Sequence, residues 1–365
     1  MTKKVNVSLF GYLGFGNIGD ELMLIEILKS LLKLENIGSV YVLTFDYFYF
    51  EELMEISKNN ERVKIIYYER NIFRRAIQLG KVFKCVDLSI WTGGTPYNKK
   101  DGFTPLKYAI LQRIFINKYV QLGIGVGELD FLYKLSTKAS FMLSDKLVFR
   151  DNKSYNEAVT TLGLRKSKCE LAEDIVWSHN ISSTRKENGV LCVSLHFLSQ
   201  YYDMDLIDNR RNVLLRNIIE LYSAGSITKV KVVSVHPMDD EENLFFHNLL
   251  SEKEIPSTYR AMESVNGAIS EINDSELFLG ERLHSIIIAI KCGCKVFPVA
   301  YSRKVEILFN SFEMEPIPTR SFHEINISNN DFHCVSASFI EQKIDMSLRN
   351  FSHFENFLCD NFSEL

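Results

Sequence analysis

The segment FLGERLHSII sets an arginine and a histidine, Arg282 and His284, directly after the apolar run Glu276 to Gly280. An apolar run that gives way to helical spacing reads as a strand-to-helix junction. At such a junction a guanidinium can grip a carboxylate or phosphate through two N–H groups, reinforced by the helix N-terminus. The imidazole two residues on can serve as a general acid: the helix N-terminus lowers its proton affinity, and a multiply charged bound anion raises it. The plainer account pairs Arg282 with Glu281 or another structural acid and makes His284 a helix cap. For an isolated R-L-H tripeptide that account is the stronger. Lys304 follows KVFPVA at the next helix start and is placed to meet the same anion, with Arg303 as its rival and a solvated lysine as the plain alternative. His196 and His236 also follow apolar runs, so three histidines invite a metal. No acid or cysteine completes a recognised spacing with them, and no metal is expected. Asp203-Met204-Asp205 and Asp239-Asp240 lie where helix N-caps are expected, and capping is their favoured role.

A second constellation lies near the start. GYLGFGNIGDELML contains Gly14-x-Gly16-x-x-Gly19 after the apolar run VNVSLF. In a dinucleotide fold such glycines begin at the strand end, the helix N-terminus holds a pyrophosphate, and an acid farther on binds a ribose. Here Gly14 falls beyond the strand end, Asp20 and Glu21 put two carboxylates where the pyrophosphate would lie, and Asp46 comes late for the ribose acid. The plain reading is a glycine-rich turn whose acid, Asp20, caps the helix. The sharper one has this loop present Asn17 and Asp20 to a polar ligand. Absence of G-K-[ST] excludes a P-loop.

The elements that must position these residues follow a βαβα rhythm of short β-branched runs and helical segments, interrupted by the polar stretch Ser178 to Gly189 and then resumed. The 365 residues, 46% apolar, are enough for two cores. The expected architecture is α/β, two doubly wound Rossmann-like domains facing a central cleft, over residues 1–180 and 189–335, with 336–365 a helical segment packing back on the first domain. A formal charge of −4 gives no global basic field, so nucleic acid is not an expected partner. Seven scattered cysteines without a C-x-x-C pair fit a reduced cytosol. No signal-peptide pattern is seen, and no apolar stretch nears the roughly eighteen residues of a membrane span.

GYLGFGNIGDE, WTGG (Trp91 to Gly94), QLGIGVG (Gln121 to Gly127), FRDNKSYNEAVTTLG (Phe149 to Gly163) and ERLHSIIIAIKCGCKVFPVAYSRKV (Glu281 to Val305), in this order, resemble the polysaccharide pyruvyl transferase family. The resemblance implies a GT-B-like architecture and transfer of an enolpyruvyl unit from phosphoenolpyruvate to a sugar, forming a pyruvate ketal across two hydroxyls and releasing phosphate. It makes Arg282 and His284 the central pair, residues 1–180 the acceptor side and 189–335 the donor side. Beside that pair, the placement of residues at strand ends and in the glycine loop gives Lys304, His196, His236 and Asn17 as substrate-binding candidates and Asp20 as a candidate general base; Gly93 and Gly94 of the WTGG motif join the substrate-binding candidates, and the resemblance offers a counterpart for Asp101 as the other candidate base. The plain reading of Asp101 is a turn residue before Gly102. Three positions depart from the pattern: Thr95 where a third glycine is common, Val126-Gly127-Glu128 in place of glycine-proline, and His196 where relatives have a strand-end arginine. The last leaves the donor clamp open.

This chemistry asks for a proton at a methylene carbon, cations for carboxylate and phosphate, and a route for the hydroxyl protons, with no metal or redox cofactor. RNIFRRAIQLGKVFK, Arg70 to Lys84, reads first as a core-packing stripe with a solvated basic side; the sharper reading is peripheral contact with the inner membrane leaflet, where a lipid-linked acceptor would lie. Competing readings are a GT-B nucleotide-sugar glycosyltransferase, a catalytically silent glycan-binding member, and third a dinucleotide oxidoreductase.

Overall fold

The computed structural model describes residues 4–48, 50–98, 103–115, 118–182, 186–198, 202–318 and 325–362; Asp101 lies outside them. The chain divides into two compact units. One comprises residues up to Phe15, Gly19–His179 and Gln342 onward; the other comprises Gly16–Ile18 and Asn180–Glu341.

The first unit is built on an all-parallel sheet. Its strands are β1 (Val5–Phe10), β2 (Ile37–Thr44), β3 (Val63–Tyr67), β4 (Leu88–Trp91), β5 (Gly94–Tyr97), β6 (Lys118–Val126), β7 (Lys146–Phe149) and β8 (Cys169–Leu171). They run in the order β3-β2-β1-β4-β6-β7-β8, with β5 paired to β6. Strand β6, KYVQLGIGV, is buried over all but its first residue, as a parallel strand covered on both faces must be. Helices α1 (Ile18–Lys33), α2 (Glu51–Asn59), α3 (Ile72–Phe83), α4 (Thr104–Phe115), α5 (Phe131–Leu143) and α6 (Asn152–Asn156) make the connections. Phe10, Trp91, Tyr119, Phe141 and Phe149 belong to the core they cover.

The second unit repeats the plan with β9 (Glu187–Ser194), α7 (Met204–Ser223), β10 (Lys229–Val233), α8 (Asp240–Glu252), β11 (Ser257–Arg260), α9 (Val265–Asn273), β12 (Ser275–Gly280), α10 (Leu283–Lys291), β13 (Lys295–Phe297), β14 (Val299–Ala300), α11 (Arg303–Asn310) and β15 (Ile317–Pro318). Its five-stranded parallel sheet runs β11-β10-β9-β12-β13, so strand order reverses between β9 and β12. Helix α12 (Ala337–Phe362) returns to the first unit: Ser347 Oγ donates to the Asp174 carbonyl at 2.9 Å, Asn350 Nδ2 to the Glu173 carbonyl at 2.8 Å, and Lys343 pairs with Glu173 at 2.7 Å.

The α3 stripe reaches the core only through Leu79, Val82 and Phe83. Ile72, Phe73 and Ile77, expected in the same stripe, face solvent instead. Among the described residues no helix is long and apolar enough to cross a membrane.

Candidate active site

In an open α/β sheet, ligands bind outside the carboxyl ends of the strands where strand order reverses. In the second unit that point lies beyond β9 and β12. The chain leaving β9 carries His196, the chain leaving β12 carries Arg282 and His284, β10 leads to His236 and Asp239, and β14 leads to Tyr301 and Lys304. Arg282 is the N-cap residue of α10, and its extended backbone (φ −79°, ψ 133°) starts the helix without a side-chain cap bond. His284 lies in the first turn of α10 and is buried.

Asp239 ties these groups together. Its carboxylate, fully buried, receives the side edge of the Arg282 guanidinium: Nη2 donates to Oδ1 at 2.8 Å, and Nε donates to Oδ2. The same Oδ1 accepts the Phe197 N–H at 2.9 Å and lies 3.2 Å from His196 Nδ1. Although Asp239 occupies the N-cap position of α8, it makes no side-chain cap bond there. Its favoured capping role is thus corrected: three groups from elsewhere in the chain claim the oxygens that a cap would use. The plainer account of Arg282 therefore holds in one arm: it is paired with a structural acid, and that acid is Asp239. Glu281 is not the partner, because it is held by Arg210 Nη1 at 3.0 and 2.9 Å and by the His196 N–H at 2.7 Å. Arg210 also reaches Glu242, so a buried ionic layer lies under the Arg282 loop and fixes its height.

The local field is positive. Burial disfavours ionisation of the Tyr301 hydroxyl, yet the Lys304 and Arg282 cations bring its pKa below the ordinary phenol value. Burial lowers the His196 pKa to about 4; the hydrogen bond to Asp239 opposes the shift, and the Arg282 and Lys304 charges add to it. Asp239 is pushed upward by burial, but Arg282 and His196 hold it far below the carboxylate range. His196 is therefore a neutral imidazole near pH 7, set edge-on to Tyr301 with ring centroids 4.6 Å apart. It supplies a hydrogen bond to Asp239 and not the charge that an arginine would bring. Lys304 Nζ stands 5.8 Å from the Tyr301 ring centroid, while Arg303 is exposed. His236 accepts the Met238 N–H through Nδ1 at 3.0 Å, capping the turn Pro237–Asp239. Among the described residues no three His, Cys, Asp or Glu side chains form a metal-holding group.

The first unit gathers a second set. Asp20 is a first-turn acid of α1, and a Cβ on Gly94 would lie 3.4 Å from its Oδ1. Gly93 takes φ +91°, and a Cβ there would meet Met23 Sδ at 2.6 Å. Glu21, next to Asp20, folds back over the glycine loop: buried, it accepts the Gly14 N–H at 2.9 Å through Oε1. Asn17 falls in the strip Gly16–Ile18 that groups with the second unit, where the Ile18 N–H donates to the Val235 carbonyl at 3.1 Å. Thr95 Oγ1 accepts from Arg150 Nη2 at 2.6 Å, and Arg150 Nη1 donates to Asp174 at 2.9 Å, both charges being buried.

The sequence model of the family described as polysaccharide pyruvyl transferase matches residues 17–303. The chain belongs to this family. No curated protein matches this pyruvyl transferase family member in sequence. Among solved structures it is similar to the UDP-GlcNAc 2-epimerase of Methanocaldococcus jannaschii (10% identity, TM-score 0.60, 97% of this chain and 99% of that one). It is similar also to S. aureus MnaA with UDP (12%, 0.61, 97% of each) and to Anabaena HepE in complex with UDP (12%, 0.55, 99% and 100%). At such identity the likeness carries the fold, which is GT-B-like α/β with parallel sheets.

In this polysaccharide pyruvyl transferase family member the structure brings Arg282, His196 and Lys304 around Asp239 and Tyr301, and it brings Asp20 beside Gly94. Tyr301 and the Arg210–Glu281–Glu242 layer escaped the sequence reading. Arg210 carried one usable signal: a cation on the side of α7 that also holds Ile207, Leu214 and Ile218, all buried.

Proposed function

We propose that the chain transfers the pyruvate unit of phosphoenolpyruvate onto two hydroxyls of a sugar in a surface-polysaccharide precursor, such as a capsular repeat, at the cytoplasmic side. The observation that carries this is the placement of two cations, Arg282 and Lys304, at the strand-order reversal, with Lys304 5.8 Å from the Tyr301 ring and the Tyr301 phenol brought below its ordinary pKa by both charges. A site with that potential suits a small, multiply charged anion. Arg282 and Lys304 hold the carboxylate and phosphate. His284 protonates the methylene carbon to a methyl group, and a sugar hydroxyl oxygen bonds to the neighbouring carbon. The bond from that carbon to the phosphate oxygen breaks, phosphate leaves with the electron pair, and the second hydroxyl closes the ketal. Of the two hydroxyl protons, one restores His284 and the other leaves with phosphate. Asp20 or Asp101 takes the first hydroxyl proton and passes it to the departing phosphate, Gly93 and Gly94 let a sugar approach backbone, and Asn17, His196 and His236 complete the polar lining. The chemistry needs no metal or redox cofactor.

The test is phosphate release from phosphoenolpyruvate with saccharide acceptors, lipid-linked and free, alongside thermal melting with phosphoenolpyruvate or UDP-sugars. The proposal expects a rise in melting temperature with phosphoenolpyruvate that Arg282→Ala abolishes, and turnover that His284→Ala abolishes. Full turnover in both variants would reject the assigned site. A melting shift with UDP-sugars alone would replace the proposal by nucleotide-sugar transfer, the reading favoured by the UDP complexes of MnaA and HepE.

A further inference from the structure

The outward faces of α3, α4 and α5 are apolar where a water-facing helix is polar. Ile72 and Phe73 on α3 are 72% and 78% exposed, Ile114 on α4 is 68% exposed, and Phe131 and Leu132 on α5 are 74% and 63% exposed. The three helices adjoin. Phe83 of α3 meets Phe115 of α4 with ring centroids 6.3 Å apart, and Phe103, just ahead of α4, meets Tyr133 of α5 at 5.5 Å. Exposed positions on each helix recur at helical spacing: Ile72, Phe73 and Ile77 on α3, Ile110 and Ile114 on α4, Leu132, Leu135 and Met142 on α5. A single exposed leucine needs no explanation, but an apolar face spread over three neighbouring helices marks an interaction surface.

Charge decides what covers it. None of the three helices contains an aspartate or glutamate, while α3 carries three Lys or Arg residues and α4 and α5 two each. The chain as a whole has more acids than bases, with a formal charge of −4, so this face is set apart from the rest. Arg74, Lys81, Lys107 and Lys138 are exposed and have no carboxylate partner among the described residues. A bilayer with anionic headgroups satisfies both features at once: the aromatic and branched side chains enter the acyl boundary, and the cations stay among the headgroup phosphates. The same three helices of a second copy would bring like charges together.

We propose that the α3–α4–α5 face of the first unit docks on an anionic lipid bilayer. Docking requires no part of the phosphoenolpyruvate reading, and vesicle binding measured without donor or acceptor keeps the failure of one distinct from failure of the other. The experiment is co-sedimentation of the full chain with phosphatidylcholine vesicles, with and without phosphatidylglycerol, at low and high salt. The expected result is binding that requires phosphatidylglycerol and weakens with salt. The triple variant Phe73→Asp, Ile114→Asp, Leu132→Asp and the charge variant Arg74→Glu, Lys81→Glu should each lower the partition constant by at least about tenfold. Both should melt as the parent protein does, since the side chains changed lie on the surface. If the triple variant fails to fold, the charge variant alone decides. Wild-type protein that stays in the supernatant with phosphatidylglycerol vesicles, or variants that sediment as wild type, overturn the proposal. Self-association abolished by the triple variant, without vesicle binding, overturns it in favour of a second copy.

Discussion

The carboxylate of Asp239 holds the Arg282 guanidinium along its side edge, through Nη2 at 2.8 Å and through Nε. A side-on grip fixes the plane of the guanidinium and so the direction of the edge that Asp239 does not use. Asp239→Asn keeps the shape and removes the charge. It should lower kcat by about a hundredfold, the cost of a small misplacement of a reacting group, without raising KM for phosphoenolpyruvate, because the site becomes more positive as it loses direction. A raised KM with intact kcat, read from phosphate release, would mean that Asp239 only shapes the donor pocket.

His196 links the site to acid stability. Its pKa is about 4 in the folded chain, against an ordinary value of 6.5, so the unfolded state binds more protons between those limits. Stability is therefore fully present above about pH 6.5 and is lost as pH falls toward 4, by roughly 3 kcal/mol in all. His196→Gln should flatten urea-derived stability across that window. If it leaves the slope unchanged, the imidazole is not held neutral by its surroundings.

Gly14 is fixed by backbone geometry. It adopts φ +80°, and a Cβ would stand 2.1 Å from the Phe45 carbonyl oxygen. Gly14→Ala must move the loop off β2, breaking the bond from the Gly14 N–H to Glu21. A loss of at least about 2 kcal/mol is expected in chemical denaturation, and an unperturbed midpoint would contradict the close approach.

Thr95 follows Gly93 and Gly94, and its hydroxyl accepts from Arg150. Thr95→Gly should cost about 1–2 kcal/mol. Arg150→Met, which leaves Asp174 buried without that guanidinium, should cost about 3–5 kcal/mol. Equal losses in the two variants would show that the hydroxyl, not the ion pair, holds this corner.

The α/β class and the Arg282 junction could be read in the sequence because both are local: buried parallel strands are continuous apolar runs, and a strand end followed by helical spacing fixes where its next residues point. Asp239 was harder. Its neighbours are those of an ordinary helix cap, and what redirects it is Arg282, 43 residues farther on. That Glu21 reaches back to Gly14 depends on helical rotation, which spacing alone does not settle. The α3 stripe misled for a related reason. Periodicity says which residues share a face but not how far along the helix the covering layer extends, and in α3 it covers Leu79, Val82 and Phe83 while leaving Ile72 and Phe73 outside.

Helix α12 bonds to Glu173 and Asp174, and Asp174 holds Arg150, which holds Thr95. During synthesis the residues of the first unit up to His179 emerge early, but the helix that braces this corner is made only after all of Asn180–Glu341. The second unit, nearly continuous in sequence, has its parts in hand first. The nascent first unit must wait with that flank bare, which makes it the half with the greater claim on a chaperone.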